Sequence, residues 1–119
     1  MGACVDGYDS VPLIDVSALE QWTSDLEPED VADILAQVPA QCGGCVRDLE
    51  AAVDAAQLAQ AKRVAHKLKG MAANLGASRL AKIARSVELD AQDMEDVAGR
   101  LASLKSTVAD TIEALQRLN

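Results

Sequence analysis

His66 is the single histidine of the chain, and it stands in the run Ala65-His66-Lys67-Leu68-Lys69-Gly70. In a helix, residues three and four apart share a face. On that spacing Leu58, Ala61, Val64, Ala65, Leu68, Met71, Ala72 and Leu75 form one apolar stripe. At about 100° per residue, His66 projects roughly 160° away from the middle of the stripe. Its neighbours on the open face are Lys62, Lys69, Gly70 and Ala73. An imidazole near pH 7 keeps a free lone pair for a good fraction of the time, and Lys69, one turn on, supplies a flexible point charge. The pairing suits a nucleophile working beside an anionic group, whereas a structural histidine belongs on the buried stripe. Gly70 costs its helix about 1 kcal/mol relative to Ala. Because it lies off the stripe, that cost is better explained by a partner packing there than by a close helix–helix contact.

The charge distribution singles out the same region. From Ala55 to Val87 there is no acid, but seven bases occur: Lys62, Arg63, Lys67, Lys69, Arg79, Lys82 and Arg85. The rest of the chain holds all 19 acids and four bases. The formal charge of −8 and pI near 4.4 argue against binding of a phosphate backbone, so nucleic acid is not an expected partner. The basic island reads either as a solvated helix face or as a docking surface for an anionic group or an acidic partner.

The elements that must position His66 follow from the apolar spacing. A chain of 119 residues forms one domain and can close a single core without staples. Half of it is hydrophobic but only 2% is aromatic, with no Phe, so Leu, Val, Ile, Met and Ala must fill that core, a composition that favours helices over strands. Residues 1–14 lack periodicity and read as a flexible lead-in; residues 15–119 form the domain. Asp15 or Ser17 caps a short first helix with Val16, Leu19, Trp22 and Leu26 inward. Pro28 opens a second helix with Val31, Ile34, Leu35 and Val38 inward. Pro39 and Gly43-Gly44 predict a kink or break before Val46, Leu49, Ala52 and Val53 resume the pattern. The third helix runs from about Leu58 to Leu75 and stops at Gly76, suited to a left-handed position. Ser78 or Ala77 opens a fourth with Leu80, Ile83, Ala84, Val87 and Leu89 inward. The last begins near Asp93 and runs to Leu118 with Val97, Leu101, Leu104, Val108, Ile112 and Leu115 inward. Short connections between amphipathic helices predict an all-α fold, an antiparallel up-and-down four-helix bundle with a short extra N-terminal helix.

Taken as a string, His66-Lys67-Leu68-Lys69-Gly70 followed by Asn74-Leu75-Gly76 and Leu80 resembles the signature of histidine-containing phosphotransfer (HPt) domains. The resemblance implies a phosphorelay intermediate with no nucleotide site and no kinase activity of its own. It implies that His66 accepts a phosphoryl group from the aspartyl phosphate of a response-regulator receiver domain and hands it to another receiver. On the same footing Lys69 lies near the phosphoryl oxygens and Gly70 leaves room for the receiver. Phosphoryl transfer is mostly positioning plus stabilisation of charge on the phosphoryl oxygens, so these residue types also fit the chemistry. Lys62, Arg63, Lys67, Ala73, Arg79 and Lys82 are the candidate receiver-docking contacts. The implied partners are receiver domains and a hybrid sensor histidine kinase; no cofactor is expected in this chain, with Mg2+ expected on the receiver. The chain departs from the pattern at Gln57, where a capping acid is common, and in lacking aromatic anchors in the second helix.

Other readings compete. Cys42-Gly43-Gly44-Cys45 has the spacing of a redox pair or half a zinc site, but there is no second such pair, and buried or half-buried thiols are the better reading. With Cys4 the thiols number three, which fits a reducing compartment. An HPt domain of a larger sensor or chemotaxis-type kinase, phosphorylated by its kinase domain, is one alternative. A non-catalytic helical adapter docking an acidic partner through its basic face is another. No stretch approaches the roughly 20 apolar residues of a membrane span, and the Met1-Gly2 start lacks the Ser or Thr of an acylation signal at Asp6. A cytoplasmic monomer is expected.

Overall fold

The computed structural model describes residues 10–118. Among them there are helices and turns but no strand. The helices are α1 (Val16–Ser24), α2 (Pro28–Asp54), α3 (Leu58–Leu75), α4 (Ser78–Arg85) and α5 (Met94–Gln116), with a π-helical turn, Ser86–Asp90, continuing α4. α3 packs against α2 and α4, α5 packs against the same two helices, and α1 rests on α3. Cys4 and the rest of residues 1–9 of the expected lead-in lie outside the described residues. Residues 10–14 are held, since the Val11 carbonyl accepts from Arg79 Nε at 2.8 Å and Ile14 packs on the core.

Two helix starts are capped as their sequences dictate. Asp15 accepts from the Ala18 N–H and Asp93 from the Asp96 N–H, at 3.2 and 2.9 Å, each satisfying an amide that the first turn leaves unpaired. Of the kink or break expected in α2, a break does not occur: the helix is continuous through Pro39 and Gly43-Gly44. Pro39 withholds a donor from the Leu35 carbonyl, but Val38, Cys42, Cys45 and Leu49 complete a buried stripe at helical spacing. Tertiary burial of that stripe outweighs the local penalty. The thiols thus fill core space that Met was expected to share, while Met71 and Met94 are only partly buried.

Leu49, Leu68, Leu80, Ile83, Leu104 and Leu115 are the large fully buried side chains. Four apolar residues expected inside are instead exposed: Val16, Leu26, Ile34 and Leu89. For Leu89 the reason is geometric, because two residues past the buried Val87 a helical turn has already rotated to the opposite side. Thr107, Thr111 and Ser86 are buried polar side chains. The hydroxyls of Thr111 and Ser86 donate to the carbonyls of Thr107 and Ile83, both at 2.7 Å, so burying them leaves no unpaired donor.

The ends of α2 and α3 both close through a left-handed residue. At α3, Ala77 N–H returns to the Ala72 carbonyl and Gly76 N–H to that of Ala73, with Gly76 at φ 85°; this is the Schellman pattern. α1 covers this turn: Asp15 N–H bonds the Gly76 carbonyl at 2.7 Å, and Trp22 Nε1–H the Leu75 carbonyl at 3.1 Å. At α2, Gln57 N–H returns to Ala52 and Ala56 N–H to Val53, but the left-handed residue is Ala56, φ 56°. The two positions predict opposite responses in urea unfolding. Gly76→Ala should lose roughly 1–2 kcal/mol or more, because its Cβ would also meet the Leu19 nitrogen at 3.0 Å and the Asp15 carbonyl at 3.1 Å. Ala56→Gly should gain up to about 1 kcal/mol by removing the same left-handed strain.

Candidate functional site

α3 is buried along Ala61, Val64, Ala65, Leu68, Ala72 and Leu75, and this turns His66 outward, with 67% of its side chain exposed. Its Nδ1 lies 2.6 Å from Glu88 Oε2. Lys69 Nζ lies 2.7 Å from the other oxygen, Oε1. Glu88 therefore bridges the nucleophile candidate and its cation. It reaches them because the π-helical turn, closed by Ala91 N–H on the Ser86 carbonyl five residues back, sits against α3. Single π turns of this kind recur at functional sites.

The Glu88 carboxyl is held below the usual carboxylate range, chiefly by its pairing with Lys69, against some opposition from partial burial and with further help from His66. An ionised carboxylate only accepts hydrogen bonds, so the hydrogen of the neutral imidazole resides on Nδ1. Nε2 keeps its lone pair and has no hydrogen-bond partner among the described residues.

Lys62 and Arg63 join His66, Glu88 and Leu89 around a shallow surface depression of about 530 Å³. Arg63 is held by the neutral Gln60 side chain through two donors, at 3.2 and 2.6 Å. Gly70 is exposed, and a Cβ built on it meets nothing within 4 Å; the fold itself does not require glycine there. Ala73, two turns beyond His66, is also exposed. The other expected contacts are not brought to this group. Lys67 faces the α2 side with Gln41, Met71 and Asn74, Arg79 holds Val11, and Lys82 is exposed on α4.

Glu88 is the residue that the sequence reading passed over. A contact across 22 positions leaves no local pattern, but one signal was present: Glu88 is the first acid after the acid-free window. Cys42 and Cys45 are free and buried. Burial pushes the Cys42 thiol up to about 11, with Cys45 adding; burial also raises Cys45, opposed by Lys67. Thiols held protonated are poor nucleophiles and poor ligands. Among the described residues no group of three or more His, Cys, Asp or Glu is placed to hold a metal ion, and no helix is long and apolar enough to cross a membrane.

A family model for the Hpt domain matches residues 33–118, which include all of α3 and the π turn. The chain belongs to the Hpt domain family. Hpt domains perform histidine phosphotransfer in two-component phosphorelays, working with response-regulator receiver domains and kinases. Neither a curated protein nor a solved structure matches the chain.

The electrostatics of this Hpt domain can be checked directly. Because the folded-state pKa of Glu88 is depressed, the stability it contributes is present above its unfolded value of about 4.3 and is lost as pH falls through the lower folded value. The Glu88 side-chain carboxyl carbon, followed by NMR, should titrate below the usual glutamate range. Lys69→Met should move that midpoint upward, since Lys69 is the main cause of the shift. An unchanged midpoint in the variant would show that the ion pair is absent in solution.

Proposed function

We infer that this Hpt domain is a phosphorelay intermediate that accepts a phosphoryl group on His66 Nε2 from a receiver aspartate and returns it to another receiver. The observation that carries the reading is the His66–Glu88–Lys69 group: an exposed imidazole with Nδ1 engaged, Nε2 unpartnered and a cation one turn away. The Nε2 lone pair attacks the phosphorus of the aspartyl phosphate in line. The P–O bond to the aspartyl oxygen breaks, and that oxygen leaves with the electron pair as a carboxylate. The hydrogen on Nδ1 stays in place, so the ring becomes cationic as the P–N bond forms. Glu88, already bonded to Nδ1, stabilises that charge without moving, the preorganised electrostatic arrangement that catalysis favours. Transfer onward reverses each of these changes.

Lys69 is 28% exposed beside Glu88, near enough to the imidazole for the phosphoryl oxygens to compete with Glu88 for its charge. Mg2+ would be held by the partner receiver and not by this chain, and would supply charge neutralisation for the transferring group. The open space over Gly70 is the clearance for the receiver's approach. The neighbour relations of α2 to α5, with short connections, support an up-and-down antiparallel arrangement of those four helices.

Incubation with an aspartyl-phosphorylated receiver should add one acid-labile phosphoryl group to the wild type and none to His66→Gln. The unfolding free energy of that variant should stay within roughly ±0.5 kcal/mol of the wild type, the range of a surface substitution. Gly70→Leu should keep the fold and slow transfer. The reading fails if His66→Gln is labelled as well as the wild type.

A further inference from the structure

Val16 and Leu19 on α1, Val31 and Leu35 on α2, Ala114 on α5 and Leu118 just after it line an apolar groove of about 420 Å³. It shares no residue with the depression at His66. Leu19 and Leu35 belong to the core, but Val16 and Leu118 are 59% and 52% exposed. A scattered exposed apolar side chain is ordinary on a protein surface. Here two of them line one groove, and the exposed Leu26 and Ile34 belong to the same α1–α2 segment. The groove has the form of a seat for a helix. Val31 and Leu35 are one turn apart on α2, Ala114 and Leu118 are four residues apart at the end of α5, and α1 adds Val16, Leu19 and Thr23 at three- and four-residue spacing. α2 and α5 are packed neighbours. Apolar rows on two such helices, with a third helix beside them, accept a helix that repeats apolar side chains at the same spacing.

The rim decides the charge of that helix. No Lys or Arg occurs before Arg47, while the stretch from Asp15 to Asp33 holds seven acids. Glu20 lines the groove. Glu27 stands one turn before Val31, its carbonyl accepting from the Val31 N–H at 3.0 Å, and Asp110 stands one turn before Ala114; both are exposed. None of these three acids makes an ion pair among the described residues, and Arg117, next to Leu118, is paired with Glu113 at 3.5 Å. The groove is therefore apolar at its centre and negative at its edge. A basic partner relieves the repulsion among those carboxylates, and an acidic one adds to it.

We propose that the groove between α1, α2 and the end of α5 docks a basic amphipathic helix of a partner protein. The apolar face of that helix seats on Val16, Leu35 and Leu118, and its Lys and Arg side chains pair with Glu20, Glu27 and Asp110. The apolar seat fixes affinity, because it is the surface removed from water on docking. The acids act mainly on the rate of encounter and on its salt dependence. The surface is independent of the phosphotransfer reading, and a helix seated there covers none of the residues around His66. Tethering at such a second surface raises the effective concentration of whatever else the partner carries.

The test titrates the full chain into a labelled helical peptide of leucine and lysine patterned for one apolar face, followed by fluorescence anisotropy, beside a scrambled peptide of the same composition. The patterned peptide should bind one to one and more tightly than the scrambled one. Leu118→Asp should weaken its binding roughly tenfold, the loss expected for one buried leucine side chain, although the variant adds an acid. Val16→Asp should act alike, and at the first position of α1 an acid suits the helix. Glu20→Lys should slow association and flatten its dependence on ionic strength. Unchanged or tighter binding by both aspartate variants, with circular dichroism unchanged, means attraction by charge alone and overturns the groove. Equal binding of the two peptides, or no binding by the wild type, overturns it as well. Concentration-dependent dimerisation of the wild type that Leu118→Asp abolishes assigns the groove to a second copy of the chain and overturns the basic partner. Each of these results leaves His66 as the acceptor.

Discussion

Helices α2 and α4 both close on α3, where half of the buried stripe is alanine. Ala61, Ala65 and Ala72 are almost completely shielded, and so small a side chain lets a neighbouring backbone approach more closely than Leu or Phe would. With no Phe in the chain, cohesion comes from leucines and isoleucine seated around that narrow seam. The arrangement leaves α3 one open face. That face holds His66, Gly70 and Ala73, and the π-helical turn after α4 then lies near enough for a glutamate to reach across.

Glu88 links fold and chemistry at this seam. Its two oxygens meet groups on successive turns of α3, so one carboxylate sets the tautomer of the imidazole and neutralises the ammonium. Both partners are largely or partly in water, where an isolated ion pair contributes little to stability. The bridge therefore matters more for the orientation it imposes than for holding the helices together. Hydrophobic burial along α2, α3 and α5 carries the stability. That division lets the charged group change its charge state without endangering the fold.

Much of this was legible in the sequence. The direction of His66 follows from the spacing of Leu58 to Leu75, and the stop at Gly76 from its tolerance of a left-handed backbone. The Asp15 and Asp93 starts follow from ordinary capping chemistry. The continuity of α2 was concealed by reading Pro39 and Gly43-Gly44 as punctuation, although residues 38, 42, 45 and 49 already had helical spacing. Leu89 was placed inward on its apolar character alone, against the rotation that its own helix imposes. Glu88 was hidden for a different reason: its partners lie on another helix, and only the packing of the π turn on α3 brings them within reach.

Trp22 is the single tryptophan of the chain, and its indole N–H bonds the Leu75 carbonyl where α1 meets the end of α3. Its fluorescence is therefore a local signal for the seating of α1, whereas far-ultraviolet circular dichroism averages over every helix. α1 is short, and Leu19 is its one buried residue, which places it at the low end of local stability. An emission change that precedes the loss of ellipticity during unfolding would mark α1 leaving while the core around α3 remains closed, and the unfolding of this protein would then need two free energies instead of one.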